Sequence, residues 1–178
     1  MSWLVALSVP AWPAAAQERG TVEAGAYLRF TEYDNSLGFD NTVGPGGRLA
    51  VFVLRGLAIE ADLSRTSTEN PGGASVTHTP LRVMVQYSAP TGRGVHLVVG
   101  AGYLRNRYGG DLDVTEQGLA GTIGLRVRLR DMVSLRVDAS GDYIGHPANQ
   151  DQHNVLNRNL GFQAGVSLLV NPLRRGGS

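Results

Sequence analysis

Apolar and polar positions alternate with a period of two through most of this chain. The clearest case is Gly46 to Thr66. Leu49, Val51 and Val53 alternate with Arg48, Ala50 and Phe52. After Leu54-Arg55-Gly56 the alternation resumes, with Leu57, Ile59, Ala61 and Leu63 against Ala58, Glu60, Asp62 and Ser64. A period of two places each set on one face of a strand, so the stretch predicts a hairpin. Gly56 suits the left-handed position of a three-residue loop. Counting outward, Val53 faces Leu57, Ala50 faces Glu60 and Arg48 faces Asp62. Facing Cβ atoms lie about 5 Å apart, so Arg48 is expected to pair with Asp62, Glu60 or both.

The same pattern predicts six further strands, at about Thr21–Tyr33, Val76–Ser88, Val95–Arg105, Gly118–Leu129, Val133–Ile144 and Arg158–Val170. Polar, Gly/Asn/Asp-rich stretches separate them at Asp34–Pro45, Arg65–Ser75, Asn106–Gln117 and Gly145–Asn157. Short turns fall at Leu54–Gly56, Ala89–Gly94 and Arg130–Met132. Eight strands with strictly alternating long loops and short turns put both chain ends on the short-turn side.

One face of each strand is aliphatic. The other carries charges of both signs, among them Glu23, Arg29, Arg48, Glu60, Asp62, Arg82, Arg126, Arg136 and Asp138. A soluble barrel would hide the aliphatic face; a membrane barrel turns it to lipid. Two features select the second. Gly falls mainly on the charged face, where an eight-stranded interior needs small residues beside long ones. Phe30, Tyr103, Tyr143 and Phe162 lie on the aliphatic face near the long-loop ends, and Tyr87 lies on it near a short turn. That is the expectation for a girdle at the membrane interface, where a ring with one apolar and one wet end is favoured. The fold class is therefore all-β: an eight-stranded antiparallel up-and-down transmembrane β-barrel. Its lumen is expected to hold an ion-pair network of Arg48, Glu60, Asp62, Arg82, Arg126, Arg136 and Asp138.

Composition agrees. The chain has 178 residues, 24 Gly and no Cys, and a formal net charge of +1. No thiol chemistry is available, and no bulk charge calls for nucleic acid. Every basic residue is Arg, which genomic base composition explains and which also suits buried pairing. Residues 1–16, MSWLVALSVPAWPAAA, read as a signal peptide ending at Ala14-x-Ala16, although no positive n-region precedes the apolar run. Residues 17–170 form the barrel domain and 171–178 a periplasmic tail.

Several motifs carry a family resemblance: Gly25-x-Tyr27-x-Arg29-Phe30, Gly46-Gly47-Arg48-Leu49, Leu57-x-Ile59-Glu60-Ala61-Asp62, Gly100-Ala101-Gly102-Tyr103 and Gly121-x-x-Gly124-Leu125. In this order they resemble the outer-membrane β-barrel family that includes outer-membrane proteins A and X. Gln163, Gly165, Leu168 and Val170 resemble its C-terminal assembly signal, with Val170 where the family usually has an aromatic. The resemblance implies a monomer in the bacterial outer membrane with periplasmic termini. It implies lipid, lipopolysaccharide and the barrel-assembly machinery as partners, and no cofactor.

Candidate chemistry is sparse. His78, His96, His146 and His153 show no metal-binding spacing, and the loop acids Asp34, Asp40, Asp111, Asp113, Glu116 and Asp151 read as solvated charge. The expected function is structural and envelope-anchoring, with four outer loops available to an extracellular partner. The alternatives are a lipid-modifying enzyme and a narrow pore.

Overall fold

The computed structural model describes residues 18–33, 39–69, 73, 75–92, 94–111, 113–144 and 157–172. The expected signal peptide, most of the fourth loop with His146 and His153, Asp34, and the tail beyond Pro172 lie outside these residues. The strands are β1 (Val22–Glu32), β2 (Thr42–Leu54), β3 (Leu57–Ser64), β4 (Thr66–Glu69), β5 (Ser75–Gly92), β6 (Val95–Gly110), β7 (Val114–Arg128), β8 (Val133–Ile144) and β9 (Asn157–Val170). β3 and β4 are one stave interrupted at Arg65, and both pair with β5. Every neighbouring pair is antiparallel. β1 pairs with both β2 and β9, so eight staves close into a barrel with no free edge.

The closure sets the tilt. Facing residues run from Val22 to Val51, Ile59, Val85, Ala101, Gly121, Gly141 and Leu160, and return to β1 at Glu32. One circuit therefore climbs ten residues, from 22 to 32. Ten rises of about 3.3 Å against eight spacings of about 4.8 Å give a strand tilt of about 40°. Inward residues on neighbouring staves are thereby staggered in height, and long side chains interleave.

Outward positions are exposed and aliphatic, including Leu28, Leu49, Ile59, Val85, Ile123, Leu125 and Val137. On β7 and its turn this face runs from Leu119 to Leu129. Ten residues at that tilt span about 25 Å along the axis, the height of an outer-membrane apolar band.

Three expectations need correction. The ladder continues past the apolar alternation: β2 begins at Thr42, β4 occupies part of the second loop, and only Asp111–Asp113 separates β6 from β7. Above the lipid band neither face must be apolar, so backbone pairing continues without a hydrophobic signal. β5 likewise runs on to Gly92 and absorbs most of the Ala89–Gly94 turn. In the first hairpin Arg48 does face Asp62 and Ala50 does face Glu60, and Gly56 has φ 75°. A bulge at Val53 puts Leu54, not Val53, opposite Leu57.

Candidate functional site

The alternation turns one polar side chain per two residues into the lumen. Among these are five guanidiniums, Arg29, Arg48, Arg82, Arg126 and Arg136, and five carboxylates, Glu23, Glu60, Asp62, Asp138 and Asp142. None is more than 4% exposed. Isolated charges in such a place would cost several kcal/mol each, so the partners decide whether the barrel folds.

Arg82 on β5 is the best-paired cation. Its Nε and Nη2 donate to the two oxygens of Asp142, at 2.9 and 2.7 Å, and its Nη1 donates to Asp62 Oδ1 at 3.0 Å. Asp142 also accepts Arg29 Nη2 at 3.4 Å, while Arg29 Nη1 donates to Ser140 Oγ at 2.9 Å. One level nearer the short turns, Arg136 donates to Glu60 Oε2 at 2.6 Å and to Asp138 Oδ1 at 2.8 Å. Gln86 Nε2 also donates to Glu60, at 2.5 Å. Asp138 Oδ2 accepts Arg48 Nη1 at 2.9 Å and Gln163 Nε2 at 3.2 Å. The Gln163 carbonyl accepts Arg29, which joins the two levels. Closest to the turns, Arg126 donates to Glu23 at 2.5 Å and Ser88 at 2.9 Å, with its guanidinium 5.6 Å from the centre of the Phe52 ring.

All seven charged residues expected in the lumen are thus inside it. The pairing expected for Arg48 is not the one found. Arg48 bonds Asp138, 90 positions away, and lies 4.7 Å over the Tyr27 ring. Asp62 is taken by Arg82 and Glu60 by Arg136. The register puts Asp62 between Arg48 on β2 and Arg82 on β5; Asp62 pairs with facing Arg82, and the stagger carries Arg48 across the lumen to Asp138 on β8.

Glu23 and Arg29 were legible as inward-facing but not as partners, and the third further member, Asp142, shares the parity of Arg136 and Asp138 on β8. Inward glycines make the room. A Cβ at Gly161 would lie 2.2 Å from the Arg29 guanidinium, and one at Gly124 would lie 2.2 Å from Asp138 Oδ1.

The long-loop end of the lumen holds a cluster that alternation did not reveal. His78 stacks on Tyr108 with ring centres 4.8 Å apart. The Tyr33 hydroxyl lies 2.9 Å from Thr66 Oγ1 and 3.1 Å from His78 Nδ1, and its ring meets Phe39 edge-on at 5.5 Å. Burial pushes the Tyr33 hydroxyl above its ordinary range and keeps it a neutral partner. His78 and Tyr108 share the parity of the lumen face, but Tyr108 lies in the part of β6 read as loop. Glu116, also read as loop, is buried at this mouth. His96 is buried in the lumen at the opposite end.

Phe30, Tyr87, Tyr103, Tyr143 and Phe162 are all on the outer surface. Of the expected assembly signal, Gln163 points inward into the network, Leu168 and Val170 point outward, and Gly165 packs under Tyr27. No group of three or more His, Asp or Glu among the described residues is arranged to hold a metal ion.

A family model described as "Outer membrane protein beta-barrel domain" matches residues 1–168. Among solved structures, Neisserial surface protein A is similar at a TM-score of 0.64 and 22% identity, covering 83% of this chain and 95% of that one. The N-terminal β-barrel domain of Pseudomonas aeruginosa OprF is similar at 0.58 and 15%, covering 86% and 100%. A de novo designed transmembrane β-barrel is similar at 0.55 and 16%, covering 86% and 98%. At these identities the likeness is one of fold. Comparison with curated proteins found no match.

Proposed function

The chain belongs to the outer-membrane β-barrel family of Gram-negative bacteria, and from that premise we propose that it is a monomeric, non-conducting, non-catalytic envelope anchor that displays its loops outside the cell. The observation that carries this is the filled lumen. Five cations and five anions at its waist are matched in ion pairs, and the aromatic cluster of Tyr33, His78 and Tyr108 stands across the loop-side mouth. A pore would need an open polar path, and an eight-stranded interior is just wide enough for side chains to fill. The two described histidines point into the lumen, away from the lipid on which a lipid-modifying enzyme would act. The outer aromatics would mark the two membrane boundaries, with termini and short turns in the periplasm. Gln163, Gly165, Leu168 and Val170 would present the assembly signal on β9.

Two measurements test this. Purified protein in planar bilayers is expected to show no steady conductance; sustained ohmic steps would replace the anchor by a pore. The native chain has no cysteine, so single-cysteine variants report orientation on intact cells. Cysteine at Ser75 or Asp111 should react with an impermeant maleimide, and cysteine at Arg55 or Arg130 should not. The reverse pattern would invert the topology. The folded barrel should also migrate differently on SDS gels before and after boiling.

A further inference from the structure

The outer wall is not uniformly studded with large side chains. Across β9, β1, β2 and β3 the outward positions include Ala24, Ala26, Gly47 and Ala61, and they floor a groove of about 670 Å³. Val166, Ala26, Gly47, Leu63 and Leu81 form one continuous row of facing residues, and the next residue in that row is Arg105. From Val166 to Leu81 is four inter-strand steps, about 19 Å. Rows run perpendicular to strands tilted by about 40°, so the groove climbs about 12 Å toward the loops, most of the roughly 15 Å depth of one leaflet.

The groove ends under positive charge. Arg105 faces Leu81, the residue at its upper end, and Arg107 faces Thr79, the next outward residue of β5. Arg65 stands two residues above Leu63, on the other side of β5 and on the same outer face. All three arginines are exposed, and among the described residues none of their side chains has a carboxylate partner. Arg65 and Arg107 are two strands apart, about 10 Å, with Thr79 between them, and Arg105 lies two residues below Arg107 on the same face. The nearest outward carboxylate on the Arg65 stave is Glu69, four residues higher. Tyr103, exposed directly below Arg105, adds a ring at the same boundary.

We propose that this surface binds one outer-leaflet lipid whose head group carries phosphate. An acyl chain lies in the Ala26–Gly47–Ala61 groove, and Arg65, Arg105 and Arg107 take the phosphate. Guanidiniums match phosphate geometry through parallel N–H donors, and the small residues let an acyl chain lie against the backbone wall. The inference rests on the reading above that the loop end faces outward, which the maleimide experiment decides separately.

The test uses the full chain in phosphatidylcholine nanodiscs doped with bisphosphorylated lipid A or with its dephosphorylated form. Native mass spectrometry counts lipid retained after detergent release. One phosphorylated lipid per barrel is expected, with retention of the dephosphorylated form about tenfold lower. The triple variant Arg65→Gln/Arg105→Gln/Arg107→Gln should lose retention by about tenfold, while Arg55→Gln/Arg130→Gln at the opposite rim should not. Gly47→Leu fills the groove, where an added Cβ meets only the Gly25 carbonyl at 3.6 Å. It should lower retention by at least about threefold, at roughly the worth of a few lost methylene contacts. Heat-shifted gel mobility checks that each variant is folded, and the arginine variants alter only exposed side chains. Equal retention of both lipids, an unaffected triple variant, or retention indifferent to Gly47→Leu would each overturn the site. So would a protein that leaves the nanodisc as a dimer closed over this face. Nanodiscs offer lipid to both rims, so a negative result speaks against the site and not against the orientation.

Discussion

The two faces of the same strands obey opposite rules. Outside, Leu125 and Val137 face each other half-exposed on the aliphatic outer surface. Inside, one residue along, Arg136 and Asp138 are buried and hydrogen-bonded to named partners. The outer face asks only for an apolar side chain, because lipid fits any of them. The inner face asks for a particular charge at a particular height, because a buried ion without its partner is costly. Specificity in this barrel therefore resides in its polar core and tolerance in its apolar surface, the inverse of a soluble protein.

The largest test of that contrast is Arg82→Met. Arg82 holds Asp62 and both oxygens of Asp142, so its loss leaves Asp62 without its arginine and Asp142 with only Arg29 at 3.4 Å. Removing one partner from a buried network costs about 3–5 kcal/mol. Denaturant unfolding in lipid vesicles should show that loss, whereas Arg82→Met combined with Asp62→Leu, which leaves Asp142 to Arg29, should recover much of it. A silent Arg82→Met would mean that the lumen is wet and its charges independently hydrated.

Next in size is Val137→Arg or Leu125→Arg on the outer face. Both positions lie near the middle of the aliphatic band, where an arginine costs about 2–4 kcal/mol. Exchange of either for another aliphatic should stay within about 0.5 kcal/mol. Vesicle folding that tolerates the arginines would show that these positions do not meet lipid.

What alternation could reveal follows from the same contrast. The period of two exists because one face meets lipid, so strand number, direction and inner face were legible from residues such as Leu119 to Leu129. Where strands rise above the band the rule lapses. Tyr108 and Glu116 then read as loop, although they stand in paired strands. Apart from the facing pair Arg82–Asp62 and the same-strand pair Arg136–Asp138, ion-pair partners were not legible for a different reason. Register gives the facing residue, but the ten-residue climb around the barrel staggers the staves. A side chain as long as arginine then meets carboxylates across the lumen that no local count connects to it. The apolar groove on the outer wall was visible only as alanines and a glycine on lipid-facing positions, and the closure of β9 on β1 was needed to join them.

Arg48 gives the finest test, because two carboxylates compete for it. Asp62 faces it on the neighbouring strand, and Asp138 bonds it from across the lumen. Arg48 donates through one nitrogen only. Among the described residues its Nε and Nη2 have no hydrogen-bond partner, and the guanidinium rests on the Tyr27 ring. Asp138 in turn keeps Arg136 and Gln163 when Arg48 is removed. Arg48→Met should therefore cost less than Arg82→Met, about 1–2 kcal/mol, the worth of one charged hydrogen bond with its stacking. Double-mutant cycles separate the two candidates. Arg48→Met with Asp138→Leu should show coupling of about 1 kcal/mol or more, and Arg48→Met with Asp62→Leu should be additive within about 0.5 kcal/mol. Strong coupling to Asp62 would mean that facing position, not stagger, selects the partner. The cross-lumen network would then have to be redrawn along the strands.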